Sequence, residues 1–459
     1  MYDLVLTDAV LVDPEAAEPV PGGLAVAEGQ IVRRLDAGET PPARRVLRLG
    51  GLFLMPGIVD PHVHYGLHHP PEEDFAAEGQ RALAGGVTTV LNFMRAAGDY
   101  RLTLPPFLEA AAARAAVDFA LHLGILTHAQ AARMPEYAHA FGITSFKFYM
   151  GYRGSEKERY GTDEALDDDL FVAIARGVRE VGPHAALIVH AEWPALLRPE
   201  APQAPDPLVE LGIARPPAAE AVGLALAAAV AKAFRLRLYA AHVSSEAGLG
   251  AARRAGGRTT LETCPHYLTL GSDAAAGALA RVLPPLRQAS DREALWRAIA
   301  SGHIRTVGSD ACPYTRAEKL DGTGRPRPQA MGFAEQAHTL PVLVEEGHHA
   351  RGIGLSRIAA LLTSGPARAF GLFPRKGSLR SGADADLVVF DPERRETLSA
   401  TPPWHAPEGF CVCRGRTARG WPVRVFRHGV EVWREGAAVG AVSGRYLGRS
   451  RQSRVGAGR

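Results

Sequence analysis

Eight times between Gly51 and Gly308 a short apolar run gives way to polar residues, and most of these runs are followed by a stretch rich in Ala, Leu, Glu and Arg. The runs are Phe53–Asp60, Val87–Asn92, Val117–Leu123, Ile143–Phe148, Ala186–His190, Leu236–His242, Arg258–Glu262 and Ile304–Gly308. Their length and apolar character read as buried strands. The intervening stretches Glu72–Ala84, Pro106–Ala115, Asp163–Glu180, Ala218–Phe234 and Asp291–Ser301 read as helices. Eight such units predict an α/β fold, a closed parallel (β/α)₈ TIM barrel rather than an open sheet.

The two ends of the chain follow a different rule. Residues 1–50 carry short strand patterns at Leu4–Leu6, Val10–Val12, Leu24–Val26, Ile31–Arg33 and Val46–Leu49, separated by turn residues. Strands return after Ser378, at Ala385–Phe390, Arg424–Phe426 and Val430–Trp433. This predicts a small, discontinuous β-sandwich-like domain built from residues 1–50 and 376–448, around a barrel spanning 51–375. Residues 449–459 are basic and poor in apolar side chains, which predicts a flexible tail.

Composition excludes several classes. A formal net charge of +3 gives no electrostatic footprint for nucleic acid. Met1 is followed by no basic leader or cleavage site, and no apolar run reads as long enough to cross a bilayer, so no membrane partner is expected. Four cysteines are too few for a disulfide framework and point to the cytoplasm. Cys411-x-Cys413 lacks a second pair and reads as structural.

Chemistry concentrates at the strand ends. In PGIVDPHVHYG, Asp60, His62 and His64 alternate along a strand, so all three emerge on one face. Lys147, His190, His242 and Asp310 close or follow other runs, in ITSFKFYM, ALIVHAE, LRLYAAHVS and IRTVGSD. Each has an ordinary reading alone: a surface lysine, a satisfied core histidine, a helix cap. Six such groups at the mouth of one barrel favour a metal site, where neutral imidazole and carboxylate are good ligands. An ammonium cannot ligate. Lys147 would have to react with carbon dioxide, giving a carbamate whose two oxygens each face one cation.

Longer motifs sharpen this. AGGVTTVLNF (Ala84–Phe93), SFKFYMGY (Ser145–Tyr152), HAE (His190–Glu192), AHVSS (Ala241–Ser245), ETCPHYLTL (Glu262–Leu270), PPLR (Pro284–Arg287), GSDACPY (Gly308–Tyr314) and KGSLRSGADADLVVFDP (Lys376–Pro392) cover most of the chain. With PGIVDPHVH, they resemble the cyclic amidohydrolases of the dihydropyrimidinase, hydantoinase and allantoinase group. The resemblance implies two divalent metal ions, with zinc expected, bridged by carbamylated Lys147. His62, His64 and Asp310 would hold the more buried ion, His190 and His242 the other, and Asp60 would support the histidine pair from behind.

It further implies ring opening at a cyclic amide or ureide C–N bond by a metal-bridging hydroxide. Asp310 would be general base and acid, and Tyr152 the donor to the oxyanion. Backbone groups of Leu283 and Met331 would touch the substrate. A homodimer or homotetramer is expected. An allantoinase, another amidohydrolase and a non-catalytic structural relative are the alternatives.

The sequence departs from these relatives at two informative places. Gly66 stands where carboxylate-gripping relatives place arginine, and Leu283 where hydantoinases tend to have serine. Both predict a neutral ring bearing an apolar substituent, unless an arginine of Cys312–Met331 (Arg316, Arg325 or Arg327) folds back into the pocket. His68–Asp74 and Gly151–Tyr160 are the other candidate pocket walls.

Overall fold

The first apolar run is two strands, and the break at Gly57 separates the two sheets of the molecule. Phe53–Pro56 pairs antiparallel with Leu387–Thr397, whereas Ile58–Val63 pairs in parallel with Val87–Met94. A Cβ on Gly57 would lie 2.2 Å from Thr88 Oγ1 and 3.0 Å from Asp386 Cβ, so only glycine passes this crossing without displacing its neighbours. This computed structural model describes residues 1–152, 161–199, 206–256, 258–399, 409–440 and 443–449.

Eight parallel strands follow one another in chain order: Ile58–Val63, Val87–Met94, Asp118–Gly124, Ser145–Tyr149, Ala186–His190, Arg237–Ala240, Thr259–Thr263 and Ile304–Val307. The last meets the first through a parallel bridge between Val63 and Ala311, reinforced by His64 N–H donating to the Ala311 carbonyl at 2.8 Å. Strand residues are buried on both faces, as helices outside and packed side chains inside require. The TIM-barrel expectation is met.

The helices start where their caps allow. Asp167 accepts from Leu170 N–H and opens Asp168–Val181, five residues later than the pattern suggested. Asp99 accepts from Arg101 N–H and opens Tyr100–Arg114, so the helix expected from Pro106 starts six residues earlier and holds Pro105 and Pro106 inside it. Pro217–Phe234 is apolar and long enough to cross a membrane by composition, which corrects the sequence expectation. Its buried side carries Glu220, which accepts from Ser244 and its hydroxyl at 2.8 and 3.0 Å, and that anchors it as a barrel helix.

Both termini build a second sheet of nine strands. Tyr2–Leu11 is one strand where two were expected, bulged between Leu6 and Ala9 with Asp8 at φ 57°. It pairs with Val20–Ala27 on one side and with Ala43–Arg48 and then Phe53–Pro56 on the other, so the sheet forks there. Leu6, Leu24, Ile31, Leu54, Leu387 and Phe426 fill its core. A buried ionic cluster joins this sheet to the barrel: Lys376 Nζ lies 2.6 Å from Asp118, 2.5 Å from Asp386 and 2.9 Å from Asp384.

Arg449, assigned by composition to the tail, is buried under the barrel. Its N–H donates to Gly142 at 2.7 Å and its guanidinium to Ser145 Oγ at 2.9 Å. Residues 450–459, the rest of the expected tail, lie outside the described residues.

Candidate metal centre

The strand-end donors meet at the carboxyl mouth of the barrel. His62 Nε2 and His64 Nε2 each lie 3.1 Å from Asp310 Oδ1, and Lys147 Nζ lies 3.1 Å from His62 Nε2. Across the mouth, His190 Nδ1 and His242 Nε2 are 3.1 Å apart. His62 bridges the halves, its ring centroid 5.2 Å from that of His64 and 5.3 Å from that of His242. His242 and Asp310 hold left-handed backbone conformations, φ 39° and 53°, uncommon for residues with side chains and concentrated at functional sites.

Second carboxylates set the imidazole tautomers. His62 Nδ1 faces Glu262 Oε1 at 2.7 Å and His190 Nε2 faces Glu192 Oε2 at 2.7 Å, so His62 Nε2 and His190 Nδ1 offer lone pairs inward. Glu262 also accepts from His242 N–H at 2.9 Å and from the Tyr239 hydroxyl at 2.6 Å. Arg215 steadies Glu192 through Nε at 3.0 Å. Asp60 acts on the backbone rather than on the rings: it accepts from His62 N–H and from Ser309 N–H, both at 3.1 Å, and so ties the first strand to the end of the eighth.

Burial governs the electrostatics. It holds His62, His64 and His242 well below the ordinary imidazole value and lowers His190, so the rings are neutral and fit to ligate. Burial likewise brings the Lys147 amine down to about 8 and pushes the carboxyls of Glu262 and Asp60 up to about 7 and 6. Glu192 goes the other way: burial would raise it, but Arg215 and His190 outweigh that and hold it below the usual carboxylate range. Lone pairs of four neutral imidazoles and a carboxylate, converging within contact distance, fit divalent cations. A buried amine of lowered basicity is one that can give up its proton.

A cavity of about 400 Å³ opens over this centre. Tyr152, Leu283 and Met331, named from the sequence, line it. The Tyr152 ring lies 5.0 Å from that of His190. Of the three loop arginines only Arg327 lines the cavity; Arg316 and Arg325 do not. His68 does, with its ring 4.3 Å from that of Tyr314. Gly66 sits at φ 71°, where a Cβ would lie 2.9 Å from the Phe107 ring. The candidate pocket wall Gly151–Tyr160 lies outside the described residues beyond Tyr152.

Sequence reasoning missed Glu192, Glu262, Arg215 and Arg95. Glu192 carried a signal, two residues after His190 at a strand end. Arg95, one residue beyond Val87–Met94, lines the cavity and had none. Cys411 lies 3.6 Å from Glu335, which accepts from Val412 N–H at 2.6 Å and faces His338 Nδ1 at 2.6 Å, in keeping with a structural tether.

The chain is similar to known proteins over nearly its whole length. A model of the amidohydrolase family matches residues 53–432. Over 447 residues the chain is 32% identical to an allantoinase of Rubrobacter xylanophilus, covering 93% of this chain and 95% of that one. Over 470 residues it is 28% identical to a D-hydantoinase of Ralstonia pickettii, covering 97% and 99%. The crystal structure of dihydropyrimidinase from Brevibacillus agri superposes with a TM-score of 0.85 at 26% identity, covering 98% of this chain and 99% of that one.

Proposed function

The chain belongs to the amidohydrolase family, and from that premise we propose that it opens a cyclic amide or ureide ring by hydrolysis of a C–N bond. The observation that carries the reading is the convergence of four neutral histidines, Asp310 and a buried lysine of lowered basicity at the barrel mouth, where His64, His242, Lys147 and Asp310 line one cavity. His62, His64 and Asp310 would hold one divalent ion, His190 and His242 the other, with Lys147 carbamylated between them and zinc the ion this donor set suits. When bound, such ions supply Lewis acidity, lowering the pKa of a water and polarising the carbonyl.

The protein's own groups do the rest. The Lys147 amine adds to the carbon of CO₂ and releases a proton, which leaves an anionic carbamate. Glu262 and Glu192 hold His62 and His190 in the tautomers that present lone pairs inward. Asp310 takes the proton of the attacking water and returns it to the departing ring nitrogen. Tyr152 donates a hydrogen bond to the oxyanion, and backbone groups of Leu283 and Met331 align the ring. Four unpaired cysteines favour a reducing compartment, the cytoplasm, and a homodimer or homotetramer is part of the same reading.

A second reading, allantoinase, is favoured by the Rubrobacter relative. Initial rates on hydantoin, dihydrouracil and allantoin, with metal content measured on the same sample, separate the two. Lys147→Ala removes metal and turnover, and acetate or propionate restores part of both by standing in for the carbamate. Full turnover of Lys147→Ala without additive would refute the carbamate.

A further inference from the structure

A second set of metal-ligating side chains lies between the barrel and the C-terminal segment. Glu335 and His338 bracket the single 3₁₀ turn Gln336–His338, in which side chains at i and i+3 eclipse, so carboxylate and imidazole share one face. Cys411 reaches that face from 76 residues beyond Glu335. All three side chains are buried. Glu335 Oε2 lies 2.6 Å from His338 Nδ1, and Cys411 Sγ lies 3.6 Å from that oxygen and 3.9 Å from that nitrogen. Val412 N–H holds the other carboxylate oxygen, Oε1, at 2.6 Å, which turns Oε2 toward the sulfur and the ring.

Sulfur, imidazole nitrogen and carboxylate oxygen are the donors that a tetrahedral ion of the zinc class takes. Its bond lengths would set the sulfur about 3.6 Å from either partner and the oxygen about 3.4 Å from the nitrogen. Both sulfur distances already agree with this to within about 0.3 Å. Only the carboxylate–imidazole pair must open, by about 0.8 Å, as an ion replacing the proton between them requires. Burial, and after it Glu335, push the Cys411 thiol above its ordinary value, whereas a cation bound beside it would deprotonate it outright. Asp118, Asp384 and His428 also converge, but there Lys376 and Arg427 already supply the positive charge.

We propose that Glu335, His338 and Cys411 hold a divalent cation of the zinc class, in addition to the ions of the barrel mouth. Binding releases the thiol proton to solvent and moves the Nδ1 proton of His338 to Nε2, so sulfur, nitrogen and one carboxylate oxygen each give the ion a lone pair. The ion clips the C-terminal segment to the turn that carries Gln336, whose side-chain amide donates to Asp60 Oδ2 at 2.5 Å. Through that contact the clip steadies the residue that ties the first barrel strand to the end of the eighth. This site does not depend on the ring-hydrolysis reading.

Cobalt(II) is the probe. Full-length protein, stripped with a chelator and reloaded, is expected to show the near-ultraviolet charge-transfer band of thiolate-bound cobalt, which imidazole, carboxylate and carbamate ligands do not produce. Cys411→Ser should abolish the band and lower the bound metal by one ion per chain. Glu335→Gln should weaken the binding that produces the band by about tenfold or more. Cys312→Ser, which alters the thiol lining the catalytic cavity, should leave the band in place. Lys147→Ala should keep the band while losing metal at the mouth, so the two sites fail separately. A cobalt-saturated wild type without the band, a measurement that requires no variant to fold, would overturn the proposal and leave the cluster a hydrogen-bonded tether. A band kept in Cys411→Ser but lost in Cys312→Ser or Lys147→Ala would place the thiolate at the mouth and overturn it equally.

Discussion

Two lysines are buried almost equally, Lys147 to 2% and Lys376 to 1% exposure, yet their surroundings treat them in opposite ways. At the joint between barrel and sheet, burial would lower the basicity of Lys376, but Asp386, Asp118 and Asp384 outweigh it and raise the amine above its ordinary value. Arg427 and His428 complete that cluster on Asp118 at 2.5 and 3.0 Å. At the mouth, burial wins. Lys147 lies over the Phe93 ring at 4.2 Å, beside imidazoles, and its amine falls to about 8. The joint is a closed set of charges, each answered by another. The mouth is a set of donors and one amine whose charges are disfavoured as they stand, the condition of a site completed from outside.

The sharpest way to break this comparison is to replace each lysine by methionine. Lys376→Met leaves Asp118, Asp384 and Asp386 buried without their shared cation, and should cost about 3–5 kcal/mol in urea unfolding. Lys147→Met removes an amine whose charged form the fold disfavours, so metal-free stability at neutral pH should rise or change by less than about 1 kcal/mol. Equal losses in the two variants would mean that burial alone, not the partners, decides what these lysines do.

A smaller effect sharpens the same contrast at the carboxylates. Glu262→Gln keeps the shape of the group that orients His62 and His242 but weakens its hold. Metal affinity, read by competition with a chromophoric chelator, should fall about 10–100-fold. Asp118→Asn, at the joint, should lower the urea midpoint and leave metal affinity as it was. Metal loss on Asp118→Asn would show the two clusters to be coupled through the barrel strand Asp118–Gly124.

The sequence made legible whatever depends on local pattern. The eight strands were readable because continuous apolar runs in a parallel barrel are buried on both faces, and the six donors because they close those runs. The break at Gly57 was not readable, since Thr88 and Asp386, which impose it, are 31 and 329 residues away. Asp60 looked like a partner for the imidazoles because alternation puts it on their face. Its Oδ1 turns instead to the backbone N–H groups of His62 and Ser309, a choice set by barrel closure, and its Oδ2 accepts from the side-chain amide of Gln336. Arg95 escaped because a single arginine after a strand carries no pattern. Where it points depends on how the chain leaves the barrel. Arg449 escaped for the reverse reason: a basic, apolar-poor terminus reads as solvated, whereas its guanidinium fills the base of the barrel against Ser145.

The contrast has its smallest signature in pH. Asp118 is held below its ordinary range, chiefly by Lys376 against the effect of burial. Its contribution is therefore present above the unfolded carboxyl value of about 3.9 and is lost only as pH falls through the lower, folded value. Lys376 is raised, so its contribution is complete below the unfolded value of about 10.4 and is lost above the folded one. Asp118 and Lys376 therefore add no slope between about pH 5 and 9. Lys147 is lowered to about 8, so between 8 and its unfolded value the unfolded chain holds a proton that the folded chain has released. Stability must then rise with pH across that window, with a slope of at most about 1.4 kcal/mol per pH unit from this one group. Urea midpoints of metal-free protein in CO₂-free buffer should climb from pH 8 to 10 in the wild type, and the climb should be flatter in Lys147→Met. A climb of the same steepness in both proteins would place the titrating group elsewhere and remove the electrostatic distinction between mouth and joint.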